Sequence, residues 1–147
     1  MIKATTENER LAAEQIITEK PKVVAEFAPI YCNSHKTIKF VKVDTLISKG
    51  FPVFEGVGAF NSEQCRTIIE KLYELDSNKD RIRSVAAGKV SIGMRVEFAI
   101  YSWGFPDDYN STNTSFGTSM QWVYGDPIKR AQYVYIDNGV VTATQDN

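Results

Sequence analysis

The side chains that first suggest catalytic or metal chemistry are one histidine, two cysteines and a pair of adjacent aspartates. His35 stands in a polar, turn-like run, Asn33-Ser34-His35-Lys36, which predicts a solvated loop side chain rather than a general base. Nucleophilic catalysis needs a base within hydrogen-bond reach and a group that orients that base. The sequence contains no Gly-x-Ser-x-Gly elbow, phosphate-cradling glycine loop or His-Glu-x-x-His helix. We therefore predict a protein that is not an enzyme.

The two cysteines, Cys32 and Cys65, match no metal-binding spacing. Together with a single histidine they cannot close a tetrahedral zinc site. Two alternatives remain open at this point. The cysteines either form a disulfide in an oxidising compartment, closing a loop of roughly 30 residues, or are two unrelated buried thiols, which is the alternative we favour.

Asp107 and Asp108 follow a helix stop and open a polar run that ends at Gly117. Paired carboxylates of this kind invite comparison with a calcium site or an acid–base pair. The run lacks the alternating oxygen ligands of a calcium loop. We predict a solvated polar loop over residues 107–117, with no metal and no cofactor.

The elements that would position these residues are clearest in the C-terminal part of the chain. Apolar residues at helical spacing predict three helices, and period-two alternation predicts three strands. The Asp137-Asn138-Gly139 run is typical of a tight hairpin turn. The predicted helices span Asn61 or Ser62 to Leu75, Asp80–Ala87 with Gly88 as the stop, and Gly93–Trp103; the predicted strands span Thr118–Tyr124, Arg130–Ile136 and Val140–Gln145.

The N-terminal part has weaker patterns. A capping box and good helix formers predict a helix over Thr5–Lys20, which Pro21 would stop. Extended segments are predicted over Lys22–Ile30 and Thr37–Asp44, and irregular structure over Gly50–Gly58. We accordingly predict an N-terminal extension over residues 1–58 and an α+β domain over residues 59–147.

The predicted fold class is α+β, with short helices packed on one face of an antiparallel three- to four-stranded meander. The other face of the sheet would then present tyrosines and glutamines to solvent or to a partner. Trp103, Trp122 and Tyr133 are predicted to lie in the core. The predicted partner-binding residues are Tyr109, Phe116, Gln121, Gln132 and Tyr135.

Charge and hydropathy exclude two classes of protein. Lysine and arginine number 17 against 18 acidic residues, a balance that argues against a nucleic-acid binder. No stretch approaches the roughly 20 apolar residues of a membrane span. Residues 1–20 lack the apolar centre of a signal peptide. We expect either a cytoplasmic protein or, if a signal peptide has been removed, a protein of the periplasm or cell envelope.

Several C-terminal motifs resemble those of a known group of bacterial domains. They are a Gly93-Met94 helix start, a Trp103-Gly104-Phe105-Pro106 helix end, a Trp122-Val123-Tyr124 strand, and a Tyr133-Val134-Tyr135 strand that leads into Asn138-Gly139. This pattern resembles the SmpA/OmlA outer-membrane-assembly lipoproteins and the related β-lactamase-inhibitor-like (BLIP-like) fold. The resemblance implies two helices on a β-sheet, a place in the bacterial envelope, and action through protein contacts.

One departure from that family concerns the lipid anchor. The lipoproteins carry a lipid-bearing cysteine near the N-terminus, whereas Cys32 here follows Ala28-Pro29-Ile30-Tyr31, which is not a lipidation site. The function expected from the sequence is a protein-interaction module of an envelope-associated assembly. The alternatives are an inhibitor that inserts residues 107–117 into an enzyme cleft, and a structural component of a phage or mobile element.

Overall fold

The computed structural model describes residues 2–35 and 60–146, with side chains described for residues 9, 10, 18–35 and 60–146. The elements, in chain order, are α1 (Ile2–Ser34), α2 (Ser62–Leu75), α3 (Lys79–Ala86), α4 (Val96–Trp103), β1 (Asp108–Thr114), β2 (Gly117–Asp126), β3 (Arg130–Asp137) and β4 (Val140–Asp146). The predicted segments Thr37–Asp44 and Gly50–Gly58, and the predicted domain boundary at residue 58, lie outside the described residues.

The four strands form one antiparallel sheet in the order β1-β2-β3-β4, which confirms the predicted α+β class and the meander. The three predicted strands are β2, β3 and β4, and the Asn138-Gly139 turn joins the last two. Asn138 and Gly139 both have positive φ, 51° and 80°, as a two-residue hairpin turn requires.

The predicted polar loop over residues 107–117 is wrong, because most of it is strand β1. Seven residue pairs join β1 to β2 in an unbroken antiparallel register, from Asp108↔Val123 to Thr114↔Gly117. A two-residue turn, Ser115-Phe116, closes the hairpin. Every residue of β1 is exposed. The polar composition that suggested a loop therefore reflects an edge strand that is solvated on both faces.

Helix α1 corrects the prediction for the N-terminal part. It continues through Pro21 and Pro29 to Ser34, so the predicted stop at Pro21 and the extended segment over Lys22–Ile30 are wrong. A proline inside a helix removes one hydrogen bond and crowds the preceding turn. Both prolines here lie on the exposed side. The opposite side buries an unbroken stripe that reaches from Val23 to Tyr31, and we infer that this burial outweighs the local cost.

The three shorter helices lie close to their predicted positions. Asn61 caps α2 in a reciprocal capping box with Gln64. Helix α3 ends as predicted, with Gly88 at a φ of 73° just beyond its C-cap. Helix α4 begins at Val96, three residues later than predicted from Gly93. The reason is that this segment first pairs with β4, since Gly93 N–H donates to Val141 O and Val141 N–H donates to Met94 O, both at 2.8 Å.

The core lies between the helices and one face of the sheet. Trp122 belongs to it and Trp103 packs against it. Tyr133 does not, because it is half-buried on the opposite face of the sheet, and its predicted core position is wrong. The fully enclosed side chains include Val23, Phe27 and Tyr31 of α1; Ile68, Ile69 and Leu72 of α2; Ile82 and Val85 of α3; Phe98 and Tyr101 of α4; and Val134, Ile136 and Val141 of the sheet.

Cys32 of α1 and Cys65 of α2 form a disulfide, with their Cα atoms 5.8 Å apart. The structure thus has the first of the two alternatives that the sequence left open. The bond joins two helices that are also connected by Lys20, whose ammonium lies 3.0 Å from Glu74 and 3.5 Å from Glu70. That ion-pair group is partly exposed and adds little stability. The disulfide and the apolar stripe are therefore the principal contacts that hold α1 against α2.

We expect Phe27→Ala to lower the free energy of unfolding by about 3–5 kcal/mol, because it empties a buried site in the stripe of α1. The matched control is Ile30→Ala in the same helix, since Ile30 is 45% exposed. That change should stay within about 0.5–1 kcal/mol. Urea unfolding followed by circular dichroism measures both values. Equal effects of the two substitutions would show that α1 does not pack as described.

We expect the double variant Cys32→Ala with Cys65→Ala to lose about 3–4 kcal/mol of stability, because the disulfide closes a loop with a sequence separation of 33. Reductant should lower the stability of the wild-type chain by a similar amount and leave that of the double variant unchanged. A wild-type protein that is insensitive to reductant, with both thiols alkylated in its folded state, would contradict the disulfide.

Candidate functional site

The outer face of the sheet, defined as the side turned away from the helices, carries a row of hydrogen-bonded side chains. Strand alternation places one member from each strand on this face, at paired or adjacent positions. Asn110 Nδ2 donates to Gln121 Oε1 at 3.0 Å, and Gln121 Nε2 donates to the Tyr135 hydroxyl at 3.2 Å. That hydroxyl donates to Gln145 Oε1 at 2.9 Å. The four side chains hold one another in place across the whole sheet.

Beside this row lies a shallow cavity of about 480 Å³. Val123 is 5% exposed although it lies on the outer face, and Tyr133 is half-buried next to it. Among the lining residues Asp108 alone carries a charge. The lining residues are Asp108, Asn110, Gln121, Val123, Pro127, Tyr133, Tyr135 and Gln145. Such a surface offers amide and hydroxyl hydrogen bonds next to aromatic rings, and it is suited to binding rather than to bond cleavage.

The structure brings together two of the five predicted partner-binding residues. Gln121 and Tyr135 are paired on the outer face. Tyr109 pairs with Trp122 and therefore lies on the helix side of the sheet, where it is 60% exposed. Gln132 also lies on the helix side and donates to Asp146 at 3.2 Å. Phe116 lies in the β1–β2 turn and is 92% exposed.

The residues of this face that were not predicted as a site include Tyr133, Asn110 and Gln145. Tyr133 shares its strand face with Tyr135, so the period-two alternation of β3 contained the signal that it belongs outside the core. Asn110 was missed because its segment was predicted to be a loop. Gln145 comes opposite Tyr133 only through the β3–β4 pairing, which shifts register at Tyr135/Ile136. No sequence pattern specifies that shift.

The adjacent aspartates fix backbone groups. Asp107 Oδ2 accepts from Gly125 N–H at 2.7 Å, which ties the start of β1 to the end of β2. Asp108 Oδ1 accepts from Tyr109 N–H at 2.8 Å. Within residues 2–35 and 60–146 there is no cluster of three or more histidine, cysteine or carboxylate side chains that could hold a metal ion.

His35 is buried, so the prediction of a solvated loop histidine is wrong. The residue is 4% exposed, and its ring stacks on Tyr31 with ring centres 3.9 Å apart. Nδ1 lies 2.9 Å from Tyr31 O, and Nε2 lies 3.1 Å from Ser102 O. Burial lowers the pKa of His35 below its ordinary value, and the two carbonyl groups offset part of that shift. With both nitrogens against backbone oxygens, the ring joins helix ends and is not open to a substrate.

The comparisons with known proteins add no relative: the chain matches no protein-family model, no curated protein and no solved structure. In the part of the chain that the structure describes, no helix combines the length and apolar character needed to cross a membrane.

We expect the free energy of unfolding to decrease as the pH falls below about 6.5, the ordinary histidine pKa. The folded state favours the neutral imidazole, so the unfolded state takes up more protons on acidification, and the contribution of His35 is complete only above that pH. Because His35 is the single histidine in the chain, the His35→Asn variant should show a much flatter profile between pH 7.5 and 5.5. Urea unfolding across that range measures both slopes. An identical slope in the variant, or a wild-type stability that rises on acidification, would contradict the assignment.

Proposed function

We propose that this chain is a non-enzymatic protein-interaction module that binds its partner on the outer face of the sheet. The observation that carries the proposal is the hydrogen-bonded row Asn110–Gln121–Tyr135–Gln145 on a face that the described helices leave uncovered. Side chains already held in one arrangement lose little conformational freedom on binding. Tyrosine is enriched in protein interfaces because it combines a large apolar ring with a hydroxyl group.

The chemistry of this face selects among partners. The side chains that line its cavity are uncharged except for Asp108, so a polyanion would find no positive charge to neutralise there. A protein surface that presents backbone or amide groups next to apolar side chains would match it. The row also fixes which donors and acceptors point at the partner, and this gives specificity as well as contact area.

The disulfide between Cys32 and Cys65 supports a place in an oxidising compartment, where such bonds persist. Together with the motifs that resemble the SmpA/OmlA lipoproteins, it supports an assignment to a bacterial cell envelope. The supporting motifs are caps, turns and core aromatics, which specify a scaffold more directly than a partner.

The outer face can be tested with two matched substitutions, Gln121→Lys on the outer face and Gln132→Lys on the helix side of the sheet. Both replace an amide by an ammonium group, but only the first breaks the hydrogen-bonded row. We expect partners captured from native extract by the full chain to bind Gln121→Lys at least about tenfold more weakly, which corresponds to about 1.4 kcal/mol, and Gln132→Lys almost unchanged. Isothermal calorimetry with each captured partner measures the difference. Unchanged binding by Gln121→Lys would remove the outer face from consideration.

A second candidate is an inhibitor, favoured by the exposed ring of Phe116 at the tip of the β1–β2 hairpin. A hairpin that presents one apolar side chain could enter an enzyme cleft. Here Phe116→Ser should abolish inhibition of a susceptible hydrolase. Ile128→Ser, which changes an equally exposed apolar residue in the β2–β3 turn, should retain it. Equal inhibition by both variants, or none by the wild-type chain across a hydrolase panel, would exclude this function.

A further inference from the structure

The two edges of the sheet differ in how much of their backbone is covered. At the β4 edge, Arg95 forms a bridge with Val140, and the neighbouring backbone exchanges hydrogen bonds with Val141. Among the described residues no strand pairs with the outer side of β1. All seven residues of β1 are exposed, and its pairing with β2 has no register shift. The β1 edge is thus a regular, accessible strand.

The hydrogen bonds of β2 determine which N–H and C=O groups of β1 point away from the sheet. Thr118 of β2 donates its N–H to Asn138 Oδ1 and accepts from Asn138 N–H, so its backbone groups are turned away from β1. In an antiparallel ladder, facing residues alternate between hydrogen-bonded and non-hydrogen-bonded pairs. Asn113 faces Thr118 and therefore directs its own N–H and C=O outward. By the same alternation, so do Ser111 and Tyr109.

Natural sheets protect an exposed edge with lysine, proline, a bulge or a very short strand. β1 has none of these devices, since its sequence is Asp-Tyr-Asn-Ser-Thr-Asn-Thr and Asp108 is its single charged residue. A strand that can pair and is not protected against pairing is a site for the addition of another strand. The groups that would pair at this edge are backbone groups of β1, whereas the outer face is formed by side chains, so the inference does not depend on the function proposed for that face.

We propose that the β1 edge pairs antiparallel with the β1 edge of a second copy of this chain, joining the two sheets into one. The two-fold axis passes beside Ser111, so that Ser111 faces its own copy. Tyr109 then faces Asn113, and Asn110 faces Thr112. Asp108 faces Thr114, so the two carboxylates lie at opposite ends and do not repel each other. Alternation also keeps every facing pair on the same side of the joint sheet.

The choice of a second copy rests on this self-complementarity. The outward backbone groups of Tyr109, Ser111 and Asn113 are spaced symmetrically about Ser111, so each outward N–H meets an outward C=O of the other copy. Closed two-fold association is the commonest form of self-assembly. Seven exposed polar residues bury a modest area, so we expect a weak, concentration-dependent dimer.

The test compares Ser111→Pro with Ser111→Ala by analytical ultracentrifugation of the full chain. Both remove the hydroxyl, but only proline removes the outward N–H, and it does so without removing a donor to β2. We expect wild type and Ser111→Ala to dimerise alike, with the dissociation constant of Ser111→Pro raised at least about tenfold. If Ser111→Pro fails to fold, Ser111→Lys serves instead, because it sets two ammonium groups opposite each other at the axis. Salt should partly restore that dimer.

Residue-resolved hydrogen exchange of the wild-type chain gives a second readout that needs no variant. On raising the protein concentration, we expect slower exchange at the amides of Ser111 and Asn113. The amides of Asn110 and Thr112, which face β2, should stay constant. A chain that remains monomeric up to about 1 mM would overturn the proposal. So would a dimer in which these alternate amides show no concentration dependence, or one lost equally in Ser111→Ala.

Discussion

Helices α1, α3 and α4 end beside one another, at Ser34, Ala86 and Trp103, and the last carbonyl groups of each helix lack partners within it. In this protein, side chains near these helix ends bond to carbonyl groups in the last turn of α4 and in the segment just after α3. The Tyr31 hydroxyl donates to Tyr101 O at 2.7 Å, and the Trp103 indole N–H donates to Gly88 O at 2.9 Å. His35 lies against Ser102 O, and the Ser102 hydroxyl donates to Lys89 O at 2.6 Å. The first and third of these bonds join the end of α1 to α4, and the other two join α4 to the segment that follows α3, so the group specifies how the three helices meet.

This arrangement of helix ends determines which side of the sheet is buried. Tyr124 of β2 donates its hydroxyl to the carbonyl oxygen of Gly104, the residue directly after α4, at 2.8 Å. Its ring packs edge-on against Trp103, with the ring centres 5.3 Å apart. These contacts turn one face of β2 toward the helices. Because side chains alternate along a strand, Gln121 and Val123 are then turned outward. The position of Gln121 and Val123 on the outer face thus follows from the contacts that β2 makes with the end of α4.

The parts of the fold that sequence could predict are those that depend on local patterns. Helix α2, with its capping box and its apolar spacing from Cys65 to Leu72, is one, and the Asn138-Gly139 hairpin is another. The parts that sequence could not predict depend on tertiary contacts. Helix α1 passes two prolines because its buried stripe docks on α2, which its own spacing does not reveal. His35 looks solvated by composition, yet its ring nitrogens meet carbonyls that lie 4 and 67 residues away.

The candidate site likewise contains residues that sequence could predict and residues that it could not. Gln121 and Tyr135 follow from alternation within strands, whereas Asn110 belongs to a polar strand whose structure comes from pairing with β2.

Strand β1 is also where the two proposed surfaces meet, since Asn110 ends the hydrogen-bonded row and lies one residue from Ser111. In the proposed dimer, the rows of the two copies would run toward each other across the two-fold axis on one continuous face. A partner with two matching sites would then bind both copies, and its apparent affinity would exceed that of either face alone because the second contact is intramolecular.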